Sequence, residues 1–241
     1  SVLSNGQWYK LPISQSGVYK IDANYLSSQN IDIPEGQKLH IYGQKGGMLP
    51  EKIADKRTDD LVSLPLYEVN ISDGPLLPNS AIYFYAEGAS VWSNSISSTD
   101  YQINIYDVNN YVYFTFSTLE TKKLAIEETV SNPEFISSSY QEIQRFEEDK
   151  ANPLGIFPTT HGSGQEWYGD EFSNLRNKDY SILFDLSDIL LDKPIQVRSE
   201  FISRSSVPTI YELTIGNEII SKNIGSVRTG DVEAIHGRKA I

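Results

Sequence analysis

Short runs of apolar and aromatic residues, separated by turn-forming residues, recur along the whole 241-residue chain. Most runs have the length of a strand rather than of a helix, and many alternate apolar with polar side chains. The chain contains 15 tyrosines, whose wide side chains suit the pleated, half-buried surface of a sheet. The sequence therefore predicts a mainly β fold with one or two short helices.

Strand pairs are predicted where two such runs flank a turn. Residues 7–13 and 17–21 alternate around a Ser-Gln-Ser turn, which indicates a β-hairpin. Residues 101–106 and 111–116 are predicted to form another pair. Residues 81–86, Ala-Ile-Tyr-Phe-Tyr-Ala, contain almost no polar side chain, and we expect a central strand covered on both faces.

Two segments are predicted to be helical. Asp22 is expected to cap a short helix that ends near Gln29. In residues 140–149, apolar side chains recur at helical spacing among Glu and Gln, at Tyr140, Ile143 and Phe146. That spacing is typical of an amphipathic helix. One further strand, over residues 122–130, is predicted before this helix.

Changes in composition divide the chain into three parts. Residues 1–135 are predicted to form an N-terminal β-rich domain, and residues 136–164 a helix and a linker rich in Pro, Gly and Thr. Residues 165–241 are predicted to form a β-sandwich domain, complete or truncated. The sandwich depends on four predicted strands separated by short turns, at residues 180–186, 195–202, 209–215 and 218–226.

Composition excludes several classes of function. Acidic residues outnumber basic ones by 32 to 20, and the formal net charge is −12, so nucleic acid would be repelled. No apolar run reaches the roughly 18 residues that span a bilayer. Cysteine is absent, which excludes disulfides, thiolate metal sites and a cysteine nucleophile within these residues.

Local motifs that could carry chemistry each have a simpler structural explanation. His161-Gly162 and His236-Gly237 contain the His-Gly dipeptide of caspase-like peptidases, but a catalytic base needs a nucleophile to activate. With His40, the three histidines show no metal-ligand spacing. Residues 43–47 follow a strand as a phosphate-binding loop does, yet no Lys-Ser or Lys-Thr follows, so glycines in a turn are favoured. We expect no catalytic residue, cofactor or metal site.

A family resemblance depends on three stretches taken together. They are Trp8-Tyr9-Lys10 with residues 16–22; residues 41–51 with 59–61 and 82–88; and residues 164–172, Gly-Gln-Glu-Trp-Tyr-Gly-Asp-Glu-Phe. In order and spacing they resemble the N-terminal region of PorU-like sortases of the type IX secretion system, which are gingipain-like cysteine peptidases. The resemblance covers most of the chain and fades after about Gly230.

The resemblance implies the non-catalytic N-terminal region of a cysteine endopeptidase that removes the C-terminal sorting signal of secreted cargo and helps transfer that cargo to lipopolysaccharide. In that family the catalytic His and Cys belong to a caspase-like domain downstream, so no catalytic residue is carried over. The implied partners are that peptidase domain and outer-membrane secretion components. The implied localisation is export to the cell surface or outer membrane, with the periplasm as the alternative.

Five residues are candidate interaction or interdomain contacts: Tyr42, Met48, Leu49, Trp167 and Tyr168. The last two aromatics could stack on a sugar or dock a partner, or could seal the join between the two β units. A scaffold and interaction region is therefore one expected function. The other expected function is a stand-alone adhesin or carbohydrate-binding module, which a solvent-facing row of aromatic side chains would support. An exposed edge strand also predicts a dimer.

Overall fold

The structure is a computed structural model that describes residues 1–50, 52–71, 75–92, 100–153, 167–228 and 237–241. The chain divides into two compact units, residues 1–140 and residues 141–241. Antiparallel strands are the main secondary structure of both units. The predicted mainly β class is therefore confirmed.

The described part of unit 1 contains nine strands. They are β1 Tyr9–Ile13, β2 Gly17–Asp22, β3 Lys38–Gly43, β4 Val62–Ser63, β5 Tyr67–Val69, β6 Ala81–Ala86, β7 Val91–Trp92, β8 Tyr101–Gln102 and β9 Asn110–Ser117. Sheet 1 has the strand order β1-β9-β3-β4, and sheet 2 has the order β2-β6-β5. The short strands β7 and β8 pair with each other.

One apolar core contains the inward-facing residues of both sheets. Alternate residues of each strand point inward, as the two-residue period of a strand requires. Sheet 1 contributes Ile13, Leu39, Ile41, Val112 and Phe114, and sheet 2 contributes Ile21, Ile82, Phe84 and Ala86. Two sheets that bury their faces in a common core form a two-layer arrangement.

The predicted hairpin between β1 and β2 is wrong. β1 pairs with β9, and Tyr9 lies opposite Phe114. β2 pairs with β6 in the other sheet. The turn at residues 14–16 therefore connects two layers, because Ile13 and Ile21 both bury their side chains in the shared core from different sheets. Local alternation identified the strands but not their partners.

Three other strand predictions are only partly correct. β9 pairs with β1 and β3 rather than with residues 101–106, of which only Tyr101 and Gln102 form a strand. β6 is the centre of sheet 2 as predicted, but Tyr85 is 54% exposed, so one face is open to solvent. Residues 122–130 form a single parallel bridge, in which Lys123 lies opposite Leu66.

The first predicted helix is confirmed as α1, Ala23–Ser28. The Tyr25 N–H donates a hydrogen bond of 2.9 Å to Asp22 Oδ1, which satisfies one of the free amides at the start of the helix. Leu26 is buried against the core. The chain leaves the helix through Asn30, whose φ of 54° is a left-handed conformation that asparagine tolerates.

The described part of unit 2 contains four strands: β10 Phe201–Ser203, β11 Thr209–Ile215, β12 Glu218–Ile224 and β13 Arg238–Ala240. β11 pairs with β12 and β10 pairs with β13, which gives two separate two-stranded sheets. Of the other predicted strands, residues 180–186 contain a 3-10 helix at Ser181–Leu183, and residues 195–202 become a strand only at Phe201. Two of the four predicted strands are thus present in the described residues, and the β-sandwich for residues 165–241 stays a prediction.

The helix predicted for residues 140–149 does not form, and these described residues have no regular secondary structure. Tyr140 is 85% exposed. Phe146 instead approaches the ring of Tyr180, with 5.5 Å between ring centroids. A helix of this length is marginal in water unless its apolar face packs against another element of the protein. The spacing of apolar residues does not show whether such an element is present.

Candidate functional site

Loops from both sheets of unit 1 meet at one end of the core. We call this group the loop cluster; it comprises residues 14–16, 44–48 and 87–90 together with Asn104 and Asn110. The strand register explains the convergence, because β1, β3 and β6 end here whereas β2 and β9 begin here. Segments that are distant in the sequence thus become neighbours.

Backbone amides connect the three loops directly. The hydrogen bonds run from Gly88 N to Ser16 Oγ (3.0 Å), from Gly46 N to Glu87 Oε2 (2.7 Å) and from Gly47 N to the Ala89 carbonyl (3.0 Å). A phosphate-binding loop needs free amides, and the amides of Gly46 and Gly47 are already paired. Gly47 has a φ of +88°, which confirms that glycine serves the turn.

Two asparagine side chains add further links between the loops. Asn110 Nδ2 donates to the carbonyl of Gln44 at 3.2 Å and to that of Glu87 at 3.0 Å. Asn104 Nδ2 donates to the carbonyl of Gly47 at 3.4 Å. Both donor hydrogens of the Asn110 amide are therefore used to hold two loops together. Neither asparagine is among the candidate residues named from the sequence, because nothing in the neighbouring residues marks either of them as a link between loops.

Glycines at two positions allow the loops to touch. A Cβ atom on Gly46 would lie 2.0 Å from the carbonyl oxygen of Gly88, and a Cβ atom on Gly88 would lie 2.9 Å from Gln15 Cα. The obstacles are backbone atoms, which cannot rotate away as a side chain can. Any side chain at either position must push the loops apart. Gly17, at the rim of the same cluster, has open space around it.

Three of the predicted contact residues lie in or beside the loop cluster. Tyr42 is on β3, where its ring and that of Trp8 form a T-shaped contact with 5.3 Å between ring centroids. Met48 is half-buried directly after the cluster glycines, and Leu49 is 64% exposed. Lys45 is also exposed. The structure thus groups Met48 and Leu49 on one loop, and their contact role stays a prediction.

The other two predicted contact residues, Trp167 and Tyr168, belong to unit 2. The Tyr168 N–H donates to the Ala151 carbonyl at 2.7 Å, and the Ala151 N–H donates to the Tyr168 carbonyl at 2.9 Å. This bridge fixes the backbone of Tyr168, while the side chain of Trp167 is 48% exposed. Trp167 is therefore accessible for contact, and that role also stays a prediction.

Asp170, two residues after Tyr168, is surrounded by hydrogen-bond donors. Its carboxylate accepts bonds from Lys178, from Lys150 Nζ at 2.9 Å and from the Tyr180 hydroxyl at 2.8 Å. Lys178 and then Lys150 hold the pKa of Asp170 well below its usual range. Burial, followed by the bond to Asp170, raises the pKa of Tyr180 to about 12. The network connects three segments of unit 2, and with these shifted pKa values Asp170 is ionised and Tyr180 is protonated near neutral pH.

The histidines and the acidic residues of the described ranges form no metal-binding group. Among them, no three His, Cys, Asp or Glu side chains lie together as a metal ion would require. His40 is buried, and its Nε2 lies 3.2 Å from the Leu119 carbonyl and 3.1 Å from Ser117 Oγ. His161 and His236 lie outside the described residues. The full chain contains no cysteine, so it cannot supply the nucleophile of a cysteine peptidase.

A membrane-spanning helix is also missing from the described ranges, where the longest helix, α1, has six residues.

Known proteins resemble this chain only in part. No family model matches it, and no curated protein matches it. Among solved structures, the chain is similar to the crystal structure of dimeric latent PorU from Porphyromonas gingivalis, with a TM-score of 0.35 and 26% sequence identity. The match covers 48% of this chain and 10% of that chain. The chain therefore spans only about a tenth of the length of PorU, and the similarity is weak and partial.

Proposed function

We propose that this chain is a non-catalytic scaffold and interaction region of a PorU-like protein, with the loop cluster as its contact surface. One observation carries the proposal: sequence segments that resemble the PorU-like family come together in space. Ser16 and Gly88 are 72 residues apart and hydrogen-bonded, and Gly46 contacts the same loop. Residues with that resemblance thus build one preorganised feature rather than three unrelated turns.

The proposed mechanism is positioning rather than bond-making. The cluster loops are connected by hydrogen bonds to one another and to strand ends, so a partner that binds them has little loop entropy to remove. Leu49 supplies exposed apolar surface and Lys45 supplies a charge at the same loop. Loops held by a rigid sheet scaffold are the usual place for recognition.

The proposed partners are a caspase-like peptidase domain of the same PorU-like protein and outer-membrane secretion components. The proposed localisation is the cell surface or outer membrane. Under this proposal the chemistry of sorting-signal removal resides in the peptidase domain, because the thiol that such chemistry requires is absent from these residues.

Substitutions in the cluster test the proposal. The purified chain is immobilised and its binding to the separately produced peptidase domain of a PorU-like protein is measured by biolayer interferometry. Leu49→Asp should weaken binding about tenfold or more, because it places an unpaired charge at the contact. Val18→Asp, at a residue that is 73% exposed on sheet 2, is the matched control and should bind as the parent chain does.

A second pair of variants separates contact from loop geometry. Gly46→Ala should weaken binding because the new Cβ displaces the loop of residues 87–90, whereas Gly17→Ala, in open space, should leave binding unchanged. Circular dichroism checks that both variants keep their strands. Equal binding by Leu49→Asp, Gly46→Ala and the parent chain would show that the loop cluster is not the contact surface.

A carbohydrate-binding module is the second candidate function, and one observation favours it. Tyr67, Tyr83 and Tyr85 lie on the outer face of sheet 2, away from the core; Tyr67 and Tyr83 are neighbours with 6.2 Å between ring centroids. Such a face offers flat rings and hydroxyl groups to a sugar. Retention on neutral glycan columns that is lost in Tyr85→Ala, together with no affinity for the peptidase domain, would favour this candidate over the first.

A further inference from the structure

Sheet 2 has an edge on which a fourth strand begins but does not continue. β5 pairs with β6 on one side. On the other side, the Leu66 N–H donates to the Lys122 carbonyl at 2.7 Å, and the Leu124 N–H donates to the Leu66 carbonyl at 2.9 Å. The bridge between Leu66 and Lys123 is parallel. Residues 122–124 thus start a parallel strand beside β5.

This pairing stops one step later. Backbone groups of alternate residues in a strand point to the same side, so the N–H and carbonyl of Glu68 face the same side as those of Leu66. A continued ladder would join Glu68 N to the Leu124 carbonyl and Ile126 N to the Glu68 carbonyl. Within the described ranges, neither hydrogen bond forms. The backbone of Glu68 is therefore an open strand edge, which is a template for another chain.

A groove lies between the two diverging segments. Its volume is about 360 Å³, and its walls include Tyr67 and Ile71 on one side and Leu124 and Ile126 on the other. Ile126 is 77% exposed. An extended strand placed here would find apolar surface for a side chain as well as backbone partners. This combination is what strand addition at a sheet edge uses for affinity and specificity.

The charges around the groove determine which extended strands it attracts. The Glu68 carboxylate is already compensated, because it accepts a 2.6 Å bond from Thr121 and lies 3.4 Å from Lys123 Nζ. The next acids along the wall, Glu127 and Glu128, are exposed. The whole chain has a net charge of −12. A strand with a basic flank would therefore be attracted, and an acidic one repelled.

We propose that the open edge at Glu68, together with residues 124–126, binds an extended polypeptide strand that has an apolar centre and a basic flank. The occupant pairs with the free backbone groups of Glu68 and places an apolar side chain in the groove. Its basic flank lies near Glu127 and Glu128. The site is separate from the loop cluster, so it does not depend on the proposed PorU-like function.

A synthetic strand tests this directly on the full chain. The probe is a fluorescent peptide of alternating valine and threonine with two lysines at one end, and binding is followed by fluorescence anisotropy. Two further versions carry N-methyl groups on alternate amides, one at the odd positions and one at the even positions (the two methylation phases). Each version removes the backbone donors from only one edge of the peptide strand. At least one phase should bind about tenfold more weakly, since each methyl group removes a donor and adds bulk at the edge.

Protein variants locate the bound peptide. Ile126→Asp should weaken binding about tenfold because it places a charge in an apolar wall. Val130→Asp introduces the same charge at an exposed residue outside the groove lining and is the matched control. Replacing Glu127 and Glu128 with lysine should reverse the preference, so that a glutamate-flanked peptide binds better than the lysine-flanked one.

Several outcomes would overturn the proposal. They are the absence of binding to the parent chain, equal affinity of both N-methylated phases and the unmodified peptide, and equal affinity of Ile126→Asp and Val130→Asp. Slow hydrogen exchange at the Glu68 and Ile126 amides of the free chain would also overturn it. That result would mean that residues 125–130 already occupy the edge.

Discussion

Both units contain antiparallel strand pairs, but their described parts bury very different numbers of apolar residues. In unit 1, the inward residues of two sheets meet, and Ile13, Phe84 and Phe114 are at most 1% exposed. In unit 2, β11 and β12 pair over seven residues, yet the buried apolar residues of its described part are Ile224 and Val227. Strand pairing satisfies the backbone, whereas burial supplies most of the stability.

The comparison indicates that unit 1 is the more stable of the two. A two-stranded sheet is marginal by itself, and three or more strands with a covered apolar face are needed for independent stability. Unit 1 meets that condition with its two sheets. Unit 2 depends more on local links, such as those around Asp170.

Removing a core side chain should produce the largest difference between the units. Phe84→Ala should reduce the free energy of unfolding of unit 1 by about 3–5 kcal/mol, because a fully buried ring leaves a cavity. Phe201→Ala, at a half-buried residue of β10, should cost less. Guanidinium denaturation monitored by circular dichroism measures both. Equal losses for the two variants would contradict the comparison.

Alkaline pH should affect unit 2 through Tyr180. The pKa of Tyr180 is raised in the folded state, from 10.0 to about 12, so its stabilising contribution is complete below pH 10 and is lost as the pH rises towards 12. Tyr180→Phe should remove this part of the pH dependence. Trp167 fluorescence at increasing pH measures it, with Tyr140→Phe, at an exposed ring, as the control.

Asp170 should make the stability of unit 2 depend on pH in the opposite direction, with the loss at acid pH. Its pKa is lowered below the usual 3.8, so its contribution is present above that value and is lost as the pH falls below it. Asp170→Asn should flatten the acid limb of the same fluorescence curve. An unchanged pH profile in both Tyr180→Phe and Asp170→Asn would mean that the network does not stabilise unit 2.

The smallest expected effect concerns self-association through the edges of the β11–β12 hairpin. In the described residues no third strand covers this pair, and Ile219 is 64% exposed. Ile219→Lys should lower the dimer fraction in sedimentation velocity, because a charged edge resists pairing with another edge. Folding stability should change by no more than about 0.5 kcal/mol.

Ile182→Lys, at an exposed residue in a 3-10 helix, is the matched control for that change and should leave the dimer fraction as it is. A parent chain that stays monomeric at every concentration would contradict the predicted dimer.

Sequence patterns identified individual elements well where the signal was local. The Asp22 cap and the strands predicted at residues 81–86, 209–215 and 218–226 are all present in the structure, the last of them as Glu218–Ile224. The helix at residues 140–149 was wrong because helical spacing shows only which face is apolar, not whether anything covers it. The pairing of β1 was wrong because its partner, β9, lies about a hundred residues away.

Only parts of the candidate site could be predicted from the sequence. Gly46 and Gly47 were correctly assigned to a turn, and Met48 and Leu49 follow on the same loop, whereas Gly43 is the last residue of β3. The close approach of Gly46 to Gly88, and the bridging amide of Asn110, had no local signal. Both depend on strands from different sheets ending at the same place, which is a property of the register rather than of either segment.

The sequence by itself determined that this chain is acidic, rich in strands and unable to perform thiol chemistry, because composition and short-range periodicity express these properties directly. Only the tertiary structure decided which strands pair, which unit has the larger core and that Ser16, Gly46 and Gly88 meet. The physical reason is that a two-residue period specifies the buried face of a strand, whereas its neighbours depend on contacts between distant parts of the chain.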